Sequence, residues 1–232
     1  MHQQTRLQSS GPQRLAIGLS LLTLTLAGLA QAAPNTAPSV AEILAKTPGA
    51  QGIFVTADAG AARHVQSGLI CPLSFPTVNL WHLTAFTVDG TDVGCDYGRN
   101  GSDNTWRSKL SIYTVKARPD DTVETAFARY QAEVKDAWPD ATVRGPAVRF
   151  EGDISADMKA VRSEEYEITF NGRRCVSDLI VALKAGWIIE IRGTTMMDVA
   201  DGNEGAKSVA GLAAPSIALT QAMSSLASAE AN

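Results

Sequence analysis

Apolar and polar positions change period several times along the chain, and each change marks an element. Val40, Ile43 and Leu44 fall on one side of a short helix behind Ser39-x-x-Glu42, a pairing in which each side chain caps the other's backbone N–H. Thr47-Pro48-Gly49 stops that helix. Ile53 to Thr56 and His64 to Cys71 read as short strands around an Asp58-Ala59-Gly60 turn. Leu83 to Val88 and Val93 to Tyr97 flank Asp89-Gly90, which favours a hairpin because both residues accept positive φ. After a polar loop from Asn100 to Asn104, strand character resumes from Lys109 to Ala117.

From Asp121 the period becomes helical. Asp121-x-x-Glu124 reads as a capping box, and Val123, Ala126, Phe127, Tyr130, Val134, Ala137 and Trp138 form one stripe that Pro139 ends. Glu165 to Phe170 then alternates strictly, and Asn171-Gly172 is the most favoured two-residue hairpin loop. That loop sets Phe170 opposite Arg173, Ile168 opposite Cys175 and Tyr166 opposite Ser177. Ala185-Gly186 turns the chain into a third strand, Trp187 to Arg192, with Ile189 and Ile191 inward. Lys207 to Ala229 is Ala-rich at helical spacing, with Pro215 kinking the helix or starting a second one. Consecutive hairpins imply an antiparallel sheet, and well-separated helices imply that one or both faces are covered. The fold class is α+β, a single domain with an antiparallel sheet of hairpins and a three-stranded meander, packed by two or three helices. From about residue 50 onward this element order resembles the α/β/α sandwich of the Mog1/PsbP-like proteins, a resemblance of order and not of motif.

The first 32 residues differ in kind. Arg6 and Arg14 precede a charge-free apolar run, Leu15 to Leu29, and Ala30-Gln31-Ala32 supplies the small residues that signal peptidase reads. The run falls short of the ~20 apolar residues that span a bilayer and has no basic stop-transfer flank. Residues 1–32 therefore read as a cleavable Sec signal peptide, 33–48 as a tether with a short helix, 49–229 as the α+β domain and 230–232 as a tail. The mature chain is expected in a bacterial periplasm, without a stable membrane span. Its 18 Lys and Arg face 24 Asp and Glu, and this mildly acidic balance without a basic block argues against nucleic-acid binding. Export also bears on the cysteines, because disulfides persist outside the cytosol. Cys71 and Cys95 are expected to pair across neighbouring strands, leaving Cys175 as a buried thiol beside Ile168.

Signatures of chemistry are sparse. The mature chain has two histidines, His64 and His82, and neither stands in a metal-ligand spacing. There is no G-x-S-x-G elbow and no glycine-rich phosphate loop, so no cofactor or metal is expected. Ser67, His64 and Asp96 make a triad-type set only if the fold joins them. Asp96, Asn100 and Asp103 surround Gly101, but Gly98 and Arg107 stand where a calcium loop needs oxygen ligands. Asp198, Asp201, Asn203 and Glu204 lie among Gly202 and Gly205; both acidic stretches read as solvated turns. Arg173 and Arg174 are expected to pair with Glu165 and Glu167 on the surface. Trp81, His82 and Phe86, with Trp106 close behind, form the candidate binding surface, since aromatic side chains anchor partners at low entropic cost. The leading expectation is a non-enzymatic binding or envelope-accessory domain for a protein, peptide or small ligand of unknown identity. The alternative is a periplasmic hydrolase whose site assembles only in the fold.

Overall fold

The structure, a computed structural model, describes residues 38–76, 78–100, 106–147, 160–197 and 209–230. Helix α1 (Val40–Lys46) begins where the sequence places it, with the Ser39 and Glu42 side chains capping each other's backbone. A small three-stranded sheet follows, β1 (Phe54–Thr56), β2 (Ala62–His64) and β3 (Ile70–Cys71). The main body is an eight-stranded antiparallel sheet. Its strands are β4 (Ser74–Phe75), β5 (Val78–Ala85), β6 (Asp92–Asn100), β7 (Trp106–Lys116), β8 (Thr142–Gly145), β9 (Val161–Phe170), β10 (Arg173–Lys184) and β11 (Trp187–Met196).

Strand order is β4-β5-β6-β7-β11-β10-β9-β8. The chain leaves the sheet after β7, runs through α2 (Val123–Ala137), rejoins at the far edge as β8, and meanders back until β11 pairs with β7. The meander has the register the Asn-Gly loop implies: Phe170 faces Arg173, Ile168 faces Cys175 and Tyr166 faces Ser177.

Alternation along the strands gives the sheet two faces and hence two cores. On one, Val123, Ala126, Tyr130 and Val134 of α2 pack on Tyr166, Ile168, Cys175, Leu179, Val181 and Ile188, over β9 and β10. On the other, Val93, Cys95, Tyr97, Leu110, Ile112, Ile180, Ile189 and Ile191 lie beneath α1, the small sheet and α3 (Val209–Glu230). Helix α3 continues through Pro215, whose ring sits so close to Gly193 that a Cβ there would come within 2.7 Å of it. No helix among the described residues is long and apolar enough to cross a membrane.

Cys71 and Cys95 form a disulfide with Cα atoms 6.3 Å apart, and Cys175 is a buried free thiol. The bridge does not join neighbours of one sheet, as the sequence suggests, but ties the small sheet to the large one. Local details also differ. His64 to Cys71 is bent, not straight, because the Ser67 hydroxyl lies 2.7 Å from His64 Nδ1 and accepts from the Leu69 N–H. The α2 cap is Thr122 with Thr125, not Asp121 with Glu124; the Asp121 carboxylate accepts instead from the Arg118 N–H. Asp89-Gly90 sits in a longer β5–β6 connection, where Asp89 accepts from the Thr91 N–H and hydroxyl. Gly90, at φ 74°, packs there against Ile53 and His64 of the small-sheet region. Glu167 does pair with Arg174, at 2.7 Å, but Glu165 pairs with Arg144 of β8, which the hairpin register alone did not bring into view.

Candidate functional site

The α2 side of the sheet is only half covered. Helix α2 lies over β9 and β10, and among the described residues no helix packs on the same face of β5, β6 and β7. A β-bulge shapes this open part. Register shifts between Leu80 and His82, so Leu80 and Leu83 both point into the opposite core while Trp81 and His82 are turned away from it. Trp81 is 56% exposed, and its ring stacks on His82 with centroids 5.4 Å apart. The indole lies over Gly98, where a Cβ would be 3.5 Å from its Cδ1. Two same-face rows along β6, the Tyr113 ring lies so close to Gly94 that a Cβ would fall 2.6 Å from it. Phe86, 57% exposed, meets Tyr113 at 5.9 Å between centroids. These glycines leave room for aromatic rings to lie flat on the sheet.

Two cavities open here and share Tyr113 and Arg192. The larger, about 620 Å³, is lined by Trp81, Gly98, Ser108, Lys109, Ser111, Tyr113, Trp138, Phe170, Arg192 and Thr194. The smaller, about 400 Å³, is lined by Phe86, Tyr113, Tyr130 and a dense set of charges: Asp92, Lys116, Arg118, Asp121, Arg129, Glu133, Glu190 and Arg192.

Registered pairs place His82, Asp96, Ser111 and Arg192 in one row across β5, β6, β7 and β11, with the Ser111 hydroxyl donating to Asp96 at 2.6 Å. The row above runs Gly94, Tyr113, Glu190. Glu190 is 4% exposed and accepts from Arg192 Nε, while Arg192 Nη2 donates to Glu133 of α2 at 2.8 Å. Burial raises the Glu190 carboxyl to about 7, against the pull of Arg192 and with help from Glu133 and Asp92. Burial likewise raises Asp92, helped by Glu133, and lifts Tyr130 to about 12. A carboxyl that changes charge near neutrality, beside a guanidinium and two phenols, is chemistry in excess of what packing requires.

Of the sequence candidates, Trp81, His82 and Phe86 all belong to this open face. Trp106 starts β7 and Asn100 ends β6, but the side chains of both lie outside the described residues, as do Asp103 and the stretch Asp198 to Glu204. The triad-type set is not assembled. His64 and Ser67 are joined but fully buried beside Phe54 and Trp187, whereas Asp96 alternates with Cys95 and so faces the other side of the sheet. Burial drops His64 to about 4 despite the Gly90 backbone beside it, so the ring is neutral and serves the turn. Sequence reasoning missed Tyr113, Glu133, Trp138, Glu190 and Arg192. The signal available was the Ile-Ile-Glu-Ile-Arg run: with Ile189 and Ile191 inward, Glu190 and Arg192 must share the face that a helix was expected to cover. No protein-family model and no curated protein matches the chain.

Proposed function

We propose that the protein is an exported, periplasmic binding domain that holds a small ligand in the groove between α2 and the open face of β5, β6, β7 and β11. The observation that carries this reading is the pair of cavities that meet at Tyr113 and Arg192, the larger lined by Gly98 and by the aromatic side chains of Trp81, Tyr113, Trp138 and Phe170. Concave, largely aromatic sites with a few placed polar groups are the usual form of a ligand site. The leader-like first 32 residues and the Cys71–Cys95 bridge support the compartment. Helical cover on both sides of an antiparallel sheet supports an α/β/α architecture of the Mog1/PsbP-like kind.

A hydrolase reading draws on one observation, the Glu190 carboxyl near neutrality in the smaller cavity. Against it, that carboxyl is engaged by Arg192, and among the described residues no serine, cysteine or histidine lines that cavity. Native mass spectrometry of protein purified from the periplasm of its host tests the proposal. The expected species begins at Ala33 and carries a small-molecule adduct that is lost in Trp81→Ala. A stoichiometric protein partner in place of an adduct, or retention of Met1, would overturn it.

A further inference from the structure

We propose that the larger cavity takes a flat aromatic monoanion, its ring against Trp81 and Trp138 and its anionic group on Lys109 and the outer edge of Arg192. This rests on the binding reading above and names the class of ligand. Charge is the first argument. Among the described residues, Lys109 and Arg192 line the larger cavity and no carboxylate does, whereas Asp92, Asp121, Glu133 and Glu190 all line the smaller one. Asp96, in the same row as Ser111 and Arg192, accepts from the Ser111 hydroxyl at 2.6 Å and is not among the residues that line the cavity.

Donor geometry is the second. Arg192 engages Glu190 through Nε and Glu133 through Nη2, so its Nη1 is the edge that neither carboxylate takes. Two carboxylates thus hold the guanidinium in place while one edge remains for a third acceptor. Lys109 has no ion-pair partner among the described residues and stands opposite Gly98, directly beneath the reach of Trp81. Shape is the third argument. The indole laid over a glycine is a flat wall, and about 620 Å³ suits a ligand of one or two fused rings with a substituent. Aromatic stacking and a charge-assisted hydrogen bond then act on opposite ends of the same molecule.

Calorimetric titration of the mature protein at low salt with 2-naphthoate, 2-naphthylmethanol and 2-naphthylmethylammonium tests the class. The naphthoate is expected to bind at least about tenfold more tightly than the alcohol, the scale of one hydrogen bond to a charged group. The ammonium should bind most weakly. Lys109→Ala should remove about tenfold from naphthoate alone, Trp81→Ala should weaken naphthoate and alcohol together, and Lys46→Ala on α1 should change nothing. If the alcohol or the ammonium matches the naphthoate while Trp81→Ala still weakens binding, the anion class is wrong and the groove remains a ligand site. If no probe binds, or Trp81→Ala alters none of them, the groove falls as this ligand's site as well.

Discussion

At the scale of single residues, the groove depends on side chains that are absent. Gly94 has an ordinary strand conformation, so space, not φ, excludes a side chain there: its Cβ would overlap Tyr113 at 2.6 Å. Gly94→Ala is expected to push the Tyr113 ring off the sheet and cost about 1–3 kcal/mol, the usual penalty of overpacking. Urea unfolding gives the stability, and the same variant should lose ligand affinity because Tyr113 lines both cavities. An unchanged urea midpoint would mean that the ring relocates freely. Trp81 makes the complementary point about legibility. Its aromatic character was visible in sequence, but its exposure was not, because strict alternation would set Trp81 and His82 on opposite faces. Only the bulge after Leu80 turns both outward, and a bulge has no reliable sequence mark when no glycine signals it. Glu190 and Arg192 were legible in parity but not in consequence, since nothing local reveals that α2 stops short of their neighbours.

At the scale of elements, the turns with strong local chemistry came out as the sequence implies. Asn171-Gly172 and Ala185-Gly186 both take positive φ at both residues, 49° and 74° in the first and 52° and 70° in the second. Alanine pays a steric cost in that conformation that asparagine largely avoids. Ala185→Asn should therefore stabilise the protein by about 0.5–1 kcal/mol, read as a higher urea midpoint with unchanged slope. Elements decided by tertiary contacts were less legible. The Asp89-Gly90 loop lengthens because Gly90 is pressed against Ile53 and His64, residues distant in sequence.

Strand β11 carries a further expectation, on pH. Glu190 is raised from 4.5 to about 7, so the folded state holds its proton more tightly and loses stability as pH rises through that window. His64 is lowered from 6.5 to about 4, so the folded state binds that proton less tightly and gains stability as pH rises. The two slopes oppose each other between pH 4.5 and 6.5, so the contribution of His64 is largely offset there in the wild type. Glu190→Gln keeps an oxygen for Arg192 but removes the titration, leaving His64 uncompensated. The variant should gain on the order of 1–3 kcal/mol relative to wild type between pH 4.5 and 8. Parallel urea-midpoint profiles for the two proteins would refute the assignment to Glu190.

For the whole molecule, the sheet divides labour between its faces. The α1–α3 face is largely apolar and cross-linked, holding the small sheet through Cys71–Cys95, whereas the α2 face carries the charged and aromatic groove. That division predicts what loss of the bridge should do. Strands β1, β2 and β3 are two or three residues long and have little ladder of their own, so their attachment relies on the disulfide and on Phe54, Leu69 and Ala62 in the common core. Replacing both cysteines by Ala should lower stability by roughly 2–4 kcal/mol. The loss should be uneven: amide exchange should quicken in β1–β3 and in the Gly90 loop packed on them, while β9, β10 and β11 keep their protection. Ligand affinity should survive, because Cys95 and the groove-facing Gly94 and Asp96 lie on opposite sides of β6. Non-reducing peptide mapping checks the premise, and a peptide joining Cys175 to either partner, or three free thiols, would show the two faces to be wired differently.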